Sequence, residues 1–140
     1  MNIAFFVSAS SDNRLMTMNQ GKSIPTVGGL FSGVGGIELG FEKSGFEIAW
    51  ANEIDKHSCQ TYRENFSHTL YEGDIKLLNG KDLQPVDVLC GGFTCQAFSI
   101  AGYRKGFEDD RGNIFFEIIR LIKELETMPK VLFLENVKNF

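Results

Sequence analysis

From residue 24 onward the chain alternates short apolar runs with stretches of helical character, and this constrains the fold more than any other feature. The runs at 24–31, 46–51, 69–72, 86–90 and 130–134 have strand length. Pro25 and the Gly28-Gly29 pair weaken the first of them. Residues 36–44 read as a helix with Gly45 as its stop, and 56–65 as a helix capped by Asp55. Asn113 is placed to cap a third helix through about residue 126, ended by Pro129. Ile114, Phe115, Ile118, Ile119, Leu121, Ile122 and Leu125 give that helix a broad apolar face. Strands alternating with helices predict the α/β class: a Rossmann-like, mainly parallel, doubly wound sheet. The last run is then expected to leave a free strand edge and an uncovered apolar face.

Residues 1–23 stand apart. The first nine are apolar, the rest polar, and no motif occurs among them. They read as a poorly ordered N-terminal extension. Met16 and Met18 are alternative starts, and the apolar opening lacks the positive flank of a signal peptide. The remainder, 24–140, reads as one domain.

Composition narrows the function class. A net charge of −4 argues against a chain that grips nucleic acid by itself. Three cysteines without paired spacing read as reduced thiols, which suggests a cytoplasmic setting. Neither His57 nor His68 has zinc-site spacing with them, so no metal is expected. No apolar run is long enough to span a membrane, and no membrane partner is expected.

Two constellations carry chemistry. Phe31-Ser32-Gly33-Val34-Gly35-Gly36 lies between a strand and a helix, where glycines let backbone turn tightly and approach a ligand. Glu53 ends the second strand, placed to accept hydrogen bonds from two ribose hydroxyls. Glu38 stands where a dinucleotide fingerprint would have its third glycine, so a nucleoside cofactor without a pyrophosphate, such as S-adenosylmethionine, fits better. Asp74, after the third strand, is placed to meet an adenine amino group. In the second constellation, Cys95 follows Gly91-Gly92 and Glu135 follows the apolar run 131–134. If both runs are neighbouring parallel strands, thiol and carboxylate emerge on one sheet edge, as covalent catalysis on an electron-poor ring requires. Cys59 and Cys90 read as small buried hydrophobes.

These residues also carry a family resemblance. The segment from Leu30 to Gly36 resembles the cofactor loop of DNA (cytosine-5)-methyltransferases, and Asn52-Glu53-Ile54-Asp55 their ribose-binding acid segment. Gly92-Phe93-Thr94-Cys95-Gln96-Ala97-Phe98-Ser99 is similar to their nucleophile loop, Glu135-Asn136-Val137 to their acid motif, and 102–112 to their mobile catalytic loop. The resemblance covers about 30–140. It implies S-adenosyl-L-methionine as cofactor, held by Phe31, Gly33, Gly35, Gly36, Glu53, Ile54, Asp74, Ile75 and Ile114. It implies Cys95 as nucleophile at cytosine C6, Glu135 at N3, and double-stranded DNA with a flipped cytosine as substrate. Arg104, Lys105 and Arg111 would meet phosphates.

The chain departs from the family pattern in three ways. Thr94 stands where the family has proline, and Gly29 where it often has an acid before Leu-Phe. The family's later arginine motif, target-recognition region and final helix have no counterpart here, so 24–140 reads as a partial catalytic domain. Two alternatives follow: a truncated or split-enzyme half needing a C-terminal partner, or an NAD-dependent oxidoreductase on a similar sheet. The absent third glycine and the Cys95/Glu135 pair speak against the oxidoreductase.

Overall fold

The computed structural model describes residues 3–8, 23–92 and 112–136. The elements run β1 (Ile3–Ser8), β2 (Thr26–Leu30), α1 (Gly36–Lys43), β3 (Glu47–Glu53), α2 (Lys56–Asn65), β4 (Thr69–Glu72), β5 (Val88–Gly92), α3 (Gly112–Glu124) and β6 (Val131–Asn136). Two 3-10 turns, Ile75–Leu77 and Gly80–Asp82, lie between β4 and β5. One sheet holds the strands in the order β1-β6-β5-β2-β3-β4. Strands β2 to β6 pair in parallel. The chain steps outward from β2 to β4, then returns to the other side of β2 for β5 and β6. That reversal makes a topological switch point between β2 and β5, where such sheets open a ligand crevice.

Helices α1 and α2 start and stop where local chemistry says they should; α3 begins at Gly112, so Asn113, expected to cap it, lies within its first turn instead. Asp55 caps α2, its Oδ1 accepting from the Ser58 amide at 2.8 Å. Gly45 ends α1 with φ 88°. Two cores sandwich the sheet. On one face Leu30, Trp50, Leu89, Ile118, Leu121 and Ile122 pack together, the last three from α3. On the other, Val27, Ile48, Val88 and Cys90 pack with Ile37 and Phe41 of α1. A bulge opposite Val27 and Gly28 lets Ile48 and Trp50, two residues apart, face opposite cores.

The two glycines expected to weaken β2 make room for large neighbours. A Cβ on Gly28 would lie 2.4 Å from the Trp50 ring, and one on Gly29 would lie 2.1 Å from Glu38 Oε1. Strand β5, expected at 86–90, occupies Val88–Gly92 instead. Its two glycines still pair with β6, Gly91 opposite Leu134 and Gly92 opposite Glu135.

Two expectations are corrected. The lead, read as a poorly ordered extension, contributes β1. This strand pairs antiparallel with β6, from Ile3 opposite Asn136 to Ser8 opposite Val131. The outer edge of β6, expected to be free, is therefore occupied. The sequence Ile-Ala-Phe-Phe-Val-Ser is rich in β-branched and aromatic residues, and β6 offers it a row of unpaired backbone groups.

Candidate active site

Register sets the site. Asn52, Leu30, Gly91 and Leu134 form one row across β3, β2, β5 and β6. One residue further along stand Glu53 on β3, Gly92 on β5 and Glu135 on β6. Parallel direction therefore delivers both carboxylates to the same edge. Between them the chain leaves β2 through Phe31, whose φ of 54° is left-handed. That conformation is costly for a bulky residue, of order 1–3 kcal/mol, and persists where surrounding structure enforces it.

The loop after β2 is tied to Glu53. The Gly33 amide donates to Glu53 Oε2 at 2.7 Å, and the amides of Ile54 and Asp55 donate to Oε1 at 2.8 Å each. Three backbone donors hold this carboxylate in place; the residue is 8% exposed. The Ser32 amide reaches Asn52 O at 3.0 Å, closing the loop onto β3. Among the described residues nothing lies within 4 Å of a Cβ built on Gly33 or Gly36, so none of them fills the space beside this part of the loop. Gly35 differs: its φ is 92°, and a Cβ there would meet the Phe66 ring at 2.2 Å.

Asp74 and Ile75 sit on a turn fixed from two sides. Asn52 is buried, and its Nδ2 donates to Tyr71 O at 2.8 Å and Gly73 O at 3.0 Å. The Gly73 amide donates to Glu53 O at 2.8 Å. Asp74 caps the following 3-10 turn, its Oδ1 accepting from the Lys76 amide at 3.0 Å. Ile75 is buried beneath it, while Ile54 and Val34 are exposed around the loop. Ile114 is half-buried in the first turn of α3.

Glu135 is half-buried, with Oε2 3.3 Å from where a Gly92 Cβ would stand. Cys95 lies outside the described residues, as do Thr94, Arg104, Lys105 and Arg111. Gly92, the neighbour of Glu135, is three residues before Cys95 in the chain. Cys59 and Cys90, read as small buried hydrophobes, are free thiols, 1% and 0% exposed, and burial pushes both thiols up.

Some residues escaped the sequence reading. Asn52 was legible only as part of a motif, although a polar residue ending an apolar strand has to find partners when buried. Glu38, read only as an absent glycine, is 1% exposed over Gly29. Burial pushes its carboxyl up, and neither its Oε2 nor Ser32 Oγ has a hydrogen-bond partner among the described residues. Arg120 showed in sequence only its helical spacing to Glu117 and Glu124. In the fold it also grips two backbone carbonyls of the Asp74 turn. No group of three or more histidine, cysteine or acidic residues suited to a metal ion occurs among the described residues. No helix among them is long and apolar enough to cross a membrane.

Comparison with known proteins gives a consistent result. The family described as C-5 cytosine-specific DNA methylase matches residues 26–140. Type II methyltransferase M.Bsp6I of Bacillus sp. (strain RFL6) is 53% identical over 115 residues, 81% of this chain and 36% of its own. Type II methyltransferase M.HhaI of Haemophilus parahaemolyticus is 50% identical over 111 residues, 79% of this chain and 33% of its own. The chain thus spans about a third of the length of the curated relatives it matches. Among solved structures, the Dnmt2 methyltransferase of S. pombe superposes with TM-score 0.67 at 25% identity, covering 83% of this chain and 37% of that one.

Proposed function

Given that the chain belongs to the C-5 cytosine-specific DNA methylase family, we propose that it carries the cofactor site and the catalytic pair for methyl transfer from S-adenosylmethionine to C5 of cytosine in DNA. The supporting observation is the single sheet edge. There Glu53 is bonded to the Gly33 loop, and Glu135 stands opposite the glycine that leads to Cys95.

The residues fit such a cofactor. Glu53 and Asp74 are acceptors at neighbouring strand ends, suited to ribose hydroxyls and an exocyclic amine. The backbone at Gly33 and Gly36 leaves room for a close ligand, and the family resemblance adds Phe31, Gly35, Ile54, Ile75 and Ile114 to the same site. The buried acid at Glu38, by contrast, opposes an anionic pyrophosphate at the α1 N-terminus, which weighs against the NAD-dependent alternative. When bound, the cofactor supplies an electrophilic methyl group on a sulfonium.

The chain's own residues do the rest. The Cys95 thiolate adds to C6 of the flipped base, forming an S–C6 bond and moving the ring's electron pair toward C5. Glu135 contacts N3 and stabilises the charge that builds there. Once C5 carries the methyl it gives up its proton to a base, the C6–S bond breaks, and the thiolate leaves. Arg104, Lys105 and Arg111 contact backbone phosphates. The substrate is double-stranded DNA.

Duplex DNA containing 5-fluorocytosine tests this, because fluorine at C5 blocks proton loss and traps the adduct. The adduct should map to Cys95, and Cys95→Ser should abolish trapping while still binding cofactor. The assay uses the chain together with whatever further polypeptide it needs to engage DNA. An adduct on Cys59 or Cys90 would refute the mechanism.

A further inference from the structure

Helix α3 follows in sequence the segment that holds Cys95, and it reaches across to the turn that holds Asp74 and Ile75. Ile75 packs in one core with Ile118 and Leu121 of the helix, and one side chain supplies the hydrogen bonds to the turn's carbonyls. Arg120 donates through Nη2 to Ile75 O at 3.0 Å and through Nη1 to Leu78 O at 3.1 Å. Its Nε donates to Glu117 Oε2 at 2.7 Å, and Nη1 also donates to Glu124 Oε2 at 2.7 Å. Glu124 Oε2 in turn accepts from the Gly80 amide at 3.0 Å. Gly80 presses close to the helix: a Cβ there would lie 2.6 Å from Glu124 Cβ and 2.8 Å from Leu121 O.

A planar fork with fixed donors is suited to this task, and a lysine is not. It adds charged donors to two carbonyls of a short turn, Ile75 O also accepting from the Leu78 amide at 3.1 Å, and two carboxylates hold the fork in its plane. The turn is thereby fixed from opposite sides, by Asn52 before Asp74 and by Arg120 after it.

We propose that Arg120 is a positioning residue for base recognition in the cofactor site, setting the Asp74-Ile75 backbone from α3. The inference rests on the cofactor reading above. Arg120 touches no cofactor atom in this scheme; it acts through the backbone of the turn. If Asp74 accepts from an adenine amino group, the alignment of that contact depends on where Arg120 holds the carbonyls of Ile75 and Leu78.

The test is calorimetric binding of two probes, S-adenosylhomocysteine and S-inosylhomocysteine, the latter lacking the exocyclic amine. Wild-type chain should prefer the adenine probe. Arg120→Lys and Arg120→Ala should weaken that preference by about tenfold, the scale of one well-aligned charge-assisted hydrogen bond. Arg120→Lys keeps the charge and the stem, so it serves if Arg120→Ala does not fold. Lys130→Gln is the control. It removes the exposed Lys130–Asp87 ion pair, which lies at the start of β5 and β6 and touches neither Arg120 nor the Asp74 turn, so it should lower thermal stability slightly and leave base preference unchanged. A purely structural role would lower the stability of the Arg120 variants but leave the preference of the folded protein intact, and that result overturns the proposal. Failure of wild-type chain to bind either probe would instead overturn the cofactor reading itself.

Discussion

At the scale of single residues, the two buried acids of the β2–α1 region behave in opposite ways. Glu53 is held by backbone donors: its oxygens take the amides of Gly33, Ile54 and Asp55. Its side chain is therefore built into the loop before any ligand arrives. Replacement by Ala removes the loop's anchor along with the proposed ribose contact, and Gln turns an amino group toward at least one of the three amides, so both variants are checked for fold before binding is compared. Loss of the charge-assisted contact should weaken S-adenosylhomocysteine binding by about 1.5–3 kcal/mol. Calorimetry on folded variant is the measurement, and unchanged affinity would remove Glu53 from the site. Glu38 has no such donors on Oε2, and burial raises its pKa above 4.5. A raised folded value means that its favourable contribution is complete below pH 4.5 and is lost as pH climbs through the folded value. Glu38→Gln removes that dependence. Urea titrations should therefore show the variant gaining on wild type as pH rises above 4.5, and a constant difference would contradict it. Glu38 fills the space beside Gly29, where the resembled family often has an acid on the strand. Here the carboxylate arrives from α1 instead.

At the scale of elements, loop and helices lock together through one glycine. Gly35 precedes α1 in a left-handed conformation and lies under the Phe66 and Tyr62 rings that follow from α2. Gly35→Ala should destabilise by at least about 1–2 kcal/mol from backbone handedness, with the ring clash added. Gly40, inside α1, has no described residue within 4 Å of its Cβ position. Gly40→Ala should therefore stabilise by about 0.5–1 kcal/mol. Denaturant unfolding of the pair checks the opposite signs, and equal effects would sink the assignment. The sequence marked both helix boundaries, because caps and stops act within one turn of the residues that specify them. It could not separate the two glycines, since the distinction rests on the left-handed backbone at Gly35 and on Phe66, which follows the end of another helix.

For the whole molecule, the parallel sheet collects the site at one edge, and β1 closes the far side. The chain has 18 acidic against 14 basic residues, and no segment of it is legible as a reader of base edges. Its curated relatives carry about two-thirds of their length with no counterpart in these 140 residues. Specific recognition needs base-edge as well as phosphate contacts. A polypeptide of these 140 residues should therefore bind S-adenosylhomocysteine weakly and methylate mixed-sequence duplex DNA at no measurable rate. Supplying the remaining portion of a relative, fused or as a separate subunit, should restore tritiated methyl transfer if Thr94 is tolerated in the nucleophile loop. Robust sequence-specific methylation by the 140 residues alone would contradict this expectation.

The order of strands and helices, the caps at Asp55 and Gly45, and the placing of Glu53 and Glu135 after apolar runs were determined by sequence alone. Each is set by periodicity or by residues a few positions apart. The tertiary structure decided what depends on partners distant in the chain. Residues 3–8 are strand-like in composition, but only β6 gives them a place. Glu38 is a helix-surface acid in sequence and a buried one in the fold, because α1 lies over a strand with glycine at position 29. Arg120 reads as an exposed ion-pair residue until the turn after Asp74 brings two carbonyls within its reach. Local pattern records what a segment prefers to be; the burial and hydrogen-bond partners of these side chains are fixed only when segments far apart in sequence pack together.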